Sequence, residues 1–380
     1  VWIGTSNGLE QFDRSTGTFT HFQHQASNPK SIADNRVQSI TEDQAGNIWI
    51  GFFSSGLDRF DKRTREFTHF RSDKSNPGSL SDNSVYSLLE DRSGTLWAGT
   101  YRGGLSRYDR KTEMFTTYAH QDSIPGSLGA RGVFALCEDR EGYLWVGTLG
   151  GGLDRMDPRT GMFTHFRSDP VNAKSISDNI VTCIYESRAG VLWIGTTGGL
   201  NRLDRDTGTF HWYKEKDGLS NDVVLGILED GKGNLWLSTN KGISRFDPQE
   251  GTFRSYDYRD GLQGDEFNQS AYARSPLTGE MYFGGSNGFN VFQPGSMKEN
   301  QYAPPIAITS FIRYNTDEKG NPVVDQFVDT KEGVTLSYKD NVANFEFASM
   351  NFLNPSKNKL AYRLEGFSDN WVQLGTDRKA

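Results

Sequence analysis

Acids, histidines and arginine-flanked aromatics recur along this sequence, and each type could do chemistry. Paired carboxylates cleave glycosidic bonds when one specific pair is tuned apart in ionisation. Here the acids return at one place in every copy of a repeated phrase. It reads "EDQAGNIWIGFFSSGLDRFD" at Glu42–Asp61, "EDRSGTLWAGTYRGGLSRYD" at Glu90–Asp109 and "EDREGYLWVGTLGGGLDRMD" at Glu138–Asp157. Acids repeated beside glycine are turn-makers, because Asp bonds the backbone that follows it. Of the six histidines, His21, His69 and His165 share one repeat position, and His24 and His120 share another. No HxxH or CxxC pair accompanies them, so no metal site is predicted. No phosphate-cradling glycine motif is present, and no cofactor is expected. Aromatic residues beside arginine remain: they suit stacking on a sugar ring and holding an anionic group.

The elements that must position these residues follow from the repeat. Trp2, Trp49, Trp97, Trp145, Trp193 and Trp236 are spaced by 47, 48, 48, 48 and 43 residues, and Tyr282 follows after 46 more. A period in the forties built of short strands predicts a β-propeller. Each unit parses into four strands. In one unit these are "VYSLLED", "TLWAGT", "LSRYD" and "MFTTY", separated by Asp- and Gly-dependent turns. Seven second strands imply seven blades. The Trp should wedge between blades, at a cost of about 3–5 kcal/mol if removed. Val1 sits in mid-repeat, which predicts a segment of a longer polypeptide whose blade one lacks its first strand, leaving sheet edges open. The linkers Gln23–Asn35, Arg71–Asn83, Ala119–Arg131 and Arg167–Asn179 share one form. Lys214–Asp222 is shorter and explains the 43-residue step. "GDEF" at Gly264–Phe267 is similar to the diguanylate cyclase signature, but "DGLQGDEFN" aligns with "DGLSNDVV" and is an interblade linker.

Repetition supplies an internal control. Residues common to all blades build the blade; those unique to one blade, on loops of one face, are candidates for binding. The loops between second and third strands share a face with the long linkers. Unusual residues there are Phe52, Phe53, Tyr101, Arg102, Leu149 and Lys241. In the linker before blade four, Ala130 and Arg131 replace the Asp-Asn seen at Asp82-Asn83 and Asp178-Asn179. Phe52, Phe53, Tyr101, Arg102, Arg131, Leu149 and Lys241 are therefore the predicted ligand contacts.

The repeat stops after "QPGSMKENQYAPP" (Gln293–Pro305), and a second domain is expected. Residues 1–300 form the propeller. Residues 301–380 read as an immunoglobulin-like β-sandwich that ends before its last strands. The fold class is all-β. A net charge of −7 gives no general attraction for nucleic acid, and no stretch approaches a membrane-spanning length, so this segment is not expected to insert in a bilayer. The two cysteines, Cys137 and Cys183, fall at different registers of neighbouring repeats and are read as small buried thiols rather than a disulfide.

The repeat resembles that of the two-component regulator propeller family. The tail, with "ANFEFASMNFLNPSKNKLAYRLEGFSDNW" at Ala343–Trp371, is similar to the Tyr-rich Y_Y_Y domain that follows such propellers. The pair implies the extracytoplasmic sensor of a bacterial transmembrane protein. It would face the periplasm and relay ligand binding to a histidine kinase or diguanylate cyclase, as a homodimer through the C-terminal domain. A small molecule or oligosaccharide would be the ligand. The turns also resemble the Asp-box turns of sialidases, without a matching arginine cluster. Two other readings stay open at this point: a secreted propeller enzyme acting on glycans, as lyase or glycosidase, and a constitutive protein-interaction scaffold.

Overall fold

The computed structural model describes residues 1–297, 305–316, 322–327, 342–350, 360–366 and 368–375. They divide into two compact units, Val1–Met297 and Lys298–Ala380. The first is a seven-bladed β-propeller. Blades 2–6 are four-stranded antiparallel meanders; blades 1 and 7 contain three strands each. Blade 3 is typical, with strands Val85–Glu90, Leu96–Thr100, Leu105–Asp109 and Met114–Tyr118 in sequential order. First strands of successive blades lie side by side around the ring. Second strands of blades 2–6 are buried along their whole length, because neighbouring blades cover both faces. Their sequences accordingly run apolar without alternation, as in "IWIGF".

The tryptophan wedge has a polar anchor. Trp49, Trp97, Trp145 and Trp236 are at most 2% exposed. Each indole N–H donates to a carboxylate six residues earlier: Asp43, Asp91, Asp139 and Asp230, at 2.7–3.0 Å. The other oxygen of the same carboxylate takes backbone N–H groups of the turn, as Asp91 does from Ser93 and Thr95. One acid thus makes the turn and satisfies the buried indole. Blade 5 carries Ser187 there instead, and Trp193 has no such bond among the described residues. Trp49 also meets Tyr108 of the next blade edge-on at 5.0 Å, which is the wedge in atomic terms. Arg110 of blade 3 crosses to Asp43 of blade 2 at 2.9 Å, and Arg205 of blade 5 to Asp139 of blade 4 at 2.8 Å.

Of the three histidines at the shared position, His69 and His165 are clasps between fourth strand and linker, while His21 pairs with Glu10. His69 places Nδ1 2.6 Å from Asp58 Oδ1 and Nε2 2.9 Å from the Pro29 carbonyl. His165 does the same with Asp154 and Pro125, at 2.6 and 2.8 Å. Both ring nitrogens face acceptors, so the imidazolium satisfies both and the neutral ring only one. The Asp58 and Asp154 hydrogen bonds accordingly push the His69 and His165 pKa values up from the usual 6.5. A raised histidine contributes stability that is fully present below the unfolded-state value and lost as pH rises through the folded one. The melting temperature should therefore fall as pH is taken upward from about 6.5. A His69→Asn/His165→Asn variant should show a flatter profile by calorimetry; parallel profiles would refute the clasp as the source. His24 and His120 bond linker carbonyls of Ile32 and Leu128. Cys137 and Cys183 are free thiols, and burial pushes both up to about 12.

In the second unit, Ile306–Thr316 is the central strand of a three-stranded antiparallel sheet with Pro322–Phe327 and Val342–Ser349. Phe311 and Phe345 pack at 4.8 Å across one pair. Leu360–Tyr362 pairs with Val372–Gly375. Residues 298–304 of the boundary stretch Gln293–Pro305, and parts of the expected sandwich, 328–341 among them, lie outside the described residues. Among the described residues no helix is long and apolar enough to cross a membrane.

Candidate functional site

The site is built from an irregularity common to the first strands. In blade 3, Val85 pairs with Thr100 but Ser87 pairs with Gly99, so Tyr86 is an extra residue in the ladder. The same one-residue bulge occurs in blades 2, 4, 5 and 6, releasing Gln38, Phe134, Thr182 and Leu225. A bulge frees a side chain from the pleat and re-aims it. Each bulge lies where the linker enters the first strand, beside the loop between second and third strands. It therefore marks the channel mouth on one face.

Blade 7 exaggerates the device. Phe267 pairs with Gly285 and Tyr272 with Phe283, leaving three more residues on one strand than on its partner. Ser270 there adopts a left-handed conformation (φ 60°). Gln269 reaches across to the Thr182 carbonyl of blade 5 at 3.4 Å. On this side of the ring Thr182 and Leu225 are buried.

Blades 2–4 carry the accessible cluster. Tyr86, Tyr101 and Phe134 form a three-ring cluster with nearly parallel planes, Tyr86 lying 5.5 Å (26°) from Tyr101 and 5.1 Å (17°) from Phe134 and the last two 6.5 Å apart, and Phe53 approaches Tyr86 at 6.3 Å. Phe53 is 47% exposed, and the other three are half-buried. Burial, with a contribution from Tyr101, pushes the Tyr86 phenol above its usual range. The Arg36 guanidinium lies over Phe53 at 5.3 Å, and that of Arg102 over Tyr101 at 5.5 Å. Arg36 is tethered by Ser54 at 2.7 Å and Asp34 at 3.2 Å. Burial would raise the Asp34 carboxyl, but bonds from Ser55 and Arg36 outweigh it and hold it below the usual range. The loop of blade 3 is fixed by Asp82, which accepts the backbone N–H groups of Ser84 and Arg102. In blade 4 that acid is Ala130, so the mouth loses one carboxylate beside the exposed Arg131. Aromatic faces flanked by guanidinium groups can bind a ring by stacking and an anion by charge-assisted hydrogen bonds.

The sequence-predicted contacts divide accordingly. Phe53, Tyr101 and Arg102 come together in this cluster. Arg131 is exposed on the following linker, and its carbonyl accepts from Gly104. Leu149 is half-buried, bridged to Ile180 and bonded through its N–H to Gly132, so its backbone serves the fold. Lys241 is exposed but stands on blade 6, away from the cluster. Phe52 is a correction: it ends the second strand and is fully buried among Leu9, Ile48 and Phe60, so it cannot touch a ligand. Tyr86, Phe134 and Arg36 were missed because Tyr86 and Phe134 read as ordinary strand residues. A signal existed: between the fixed Val and the small residue two places on, the position is Gln, Tyr, Phe, Thr or Leu from blade to blade. Among the described residues no group of three or more His, Cys, Asp or Glu is arranged to hold a metal ion.

Comparison with known proteins places this geometry. Residues 31–54, 79–102, 127–150, 175–198 and 218–241 match the two-component regulator propeller model, each stretch running from linker to the loop after the second strand. A histidine kinase of Formosa agariphila is 34% identical over 97 residues, which are 24% of this chain and 7% of that protein. Among solved structures, the extracellular domains of two hybrid two-component systems from B. thetaiotaomicron are similar over the whole chain. One has a TM-score of 0.55 at 21% identity, the other 0.61 at 23%. The chain spans 66% and 50% of their lengths. A catalytically inactive virginiamycin B lyase from Staphylococcus aureus, solved with quinupristin, is similar over 76% of this chain and 89% of its own (TM-score 0.57, 16% identity). At these identities the solved structures speak to fold alone. Five of the seven blades, blades 2–6, thus carry repeats that match the two-component regulator propeller model.

Proposed function

We propose that this chain is the ligand-sensing segment of a bacterial transmembrane signalling receptor, on the periplasmic or extracellular side, with no catalysis of its own. The observation that carries this reading is the cluster of Tyr86, Tyr101 and Phe134 at the channel mouth, flanked by Phe53, Arg36 and Arg102. Its chemistry suits an oligosaccharide with an anionic group: the rings take a sugar face and the guanidinium groups take the anion. The likeness to extracellular domains of hybrid two-component systems supports the same reading. The second unit, read as a Y_Y_Y-like domain, would pair with its counterpart in a homodimer. It would pass a shift to a histidine kinase or diguanylate cyclase. A ligand drives such a shift only by binding the two arrangements unequally.

The test is calorimetric titration of the chain with a panel of neutral and acidic oligosaccharides. A binder should lose at least about 2 kcal/mol, roughly thirtyfold, in Tyr86→Ala. Equal affinity in that variant would move the site elsewhere. Turnover of any panel member would instead favour the enzyme reading.

A further inference from the structure

The linker entering blade 4 breaks a rule that the other linkers keep. In five linkers a side-chain oxygen just before the first strand accepts a backbone N–H from the linker's own start. Asn35 takes that of His24, Asn83 of Ser72, Asn179 of Ser168, Asp222 of Glu215 and Asp265 of Tyr258, at 2.7–2.9 Å. In four of them the residue one place earlier braces the strand entry. Asp34, Asp82, Asp178 and Asn221 each accept the N–H two places on, at 2.7–3.1 Å. In blade 4 these two positions are Ala130 and Arg131, and neither side chain can accept a hydrogen bond. Both braces are lost. Against the Asp-Asn pair of blades 2, 3 and 5, one negative charge is removed and one positive charge is added.

The exchange supplies a free guanidinium. Arg131 is exposed and has no ion pair among the described residues. Its backbone is nevertheless fixed between two loops. Its carbonyl accepts the Gly104 N–H of the blade 3 loop at 3.0 Å, and the carbonyl of Gly132, next in the chain, accepts that of Leu149 in the blade 4 loop at 2.9 Å. Arg102 stands two residues before Gly104. It is also exposed and free of ion pairs among the described residues, and its guanidinium lies over the Tyr101 ring. Asp82, the acid of the blade 3 linker, is committed to the N–H groups of Ser84 and Arg102. The repeat equivalent of Arg102 in blade 4 is Gly150, where an added side chain would meet nothing within 4 Å. That loop therefore leaves open space where blade 3 carries a cation.

We propose that Arg131 and Arg102 form an anion subsite between blades 3 and 4, and that it makes the mouth select oligosaccharides bearing a carboxylate or sulfate over neutral ones. The inference rests on the sugar-binding reading of the aromatic cluster and names its specificity-determining residue. Tyr101 joins the two parts: its ring belongs to the cluster, and a guanidinium of the subsite lies over it. A guanidinium offers parallel N–H donors to carboxylate and sulfate alike. Local folding rules are broken where function requires it; here two braces are exchanged for a cation at the rim.

The test restores the pair used by the other blades. Ala130→Asp/Arg131→Asn should raise the melting temperature, because both braces return. It should also lower the preference for an acidic oligosaccharide over its neutral form by about tenfold. Two matched pairs are the probes in calorimetric titration: tetragalacturonate with its methyl ester, and a κ-carrageenan tetrasaccharide with its desulfated form. The pair that shows the preference tells carboxylate from sulfate. Arg131→Met, which removes the charge without restoring a brace, should lose the preference with no gain in melting temperature. An unchanged preference in both variants, or no preference in the parent chain for either pair, overturns the proposal. So does a melting temperature that fails to rise in the double variant, since the Ala-Arg pair would then serve the fold. If Tyr86→Ala abolishes binding while the Arg131 variants keep the preference, this inference alone falls; if Tyr86→Ala changes nothing, the sugar-binding reading falls with it.

Discussion

Replacing Trp145 by alanine should lower the unfolding free energy of the propeller by about 3–5 kcal/mol. The ring is 1% exposed and packs among Ala135, Ile184, Leu192 and Phe210, so its loss opens a cavity between blades 4 and 5. A second loss follows from the indole N–H. Asp139 is fully buried and holds that N–H at 2.7 Å, the Arg205 guanidinium at 2.8 Å and two turn N–H groups at 3.0 Å. Trp145→Phe keeps most of the volume but removes one of the two side-chain donors to Asp139 Oδ2, leaving that buried oxygen with the Arg205 guanidinium. It should therefore cost more than Trp193→Phe, whose turn carries Ser187 and whose indole has no such partner. Urea unfolding of the two Phe variants decides this, and equal costs would remove the carboxylate from the account.

Asp154→Ala should be of comparable size, about 3–5 kcal/mol, because it breaks a buried, hydrogen-bonded pair from one side. Asp154 is 0% exposed, accepts the Gly129 N–H at 2.6 Å and holds His165. Without it, the linker before blade 4 loses its attachment to the third strand, and His165 keeps only the Pro125 carbonyl. Asp154→Asn retains an acceptor and should cost clearly less. The measurement is denaturant unfolding of both variants at pH 6, where the clasp is protonated. Equal losses would mean that volume, not the hydrogen-bonded pair, is what matters.

The legible part of this protein was its periodicity. Tryptophan spacing gave blade number, and Asp and Gly between apolar runs gave the turns, because both depend on local backbone chemistry that the sequence writes directly. The carboxylates were legible as turn-makers but not as indole anchors, since that bond depends on the fold of the hairpin bringing residue and ring together. Phe52 and Phe53 illustrate the limit at the site. Adjacent residues at a strand end point to opposite faces, and which one enters the core is set by register. Tyr86 and Phe134 were hidden because a bulge depends on counting residues on two paired strands, which a single strand's sequence does not display.

The bulge has an evolutionary consequence. In each of blades 2–6 it sets one side chain outside the ladder, between a Val that packs on the neighbouring glycine and a small residue that fits beneath the second strand. Those flanking positions are held by packing, while the position between them has drifted from Gln to Tyr, Phe, Thr and Leu within one molecule. In blades 2–4, where this side chain is half-buried, the ring therefore carries sites where substitution costs folding little, whereas Thr182 and Leu225 of blades 5 and 6 are buried. Those of blades 2–4 sit together beside the aromatic cluster. Copies of one repeat can diverge in recognition while remaining interchangeable as architecture.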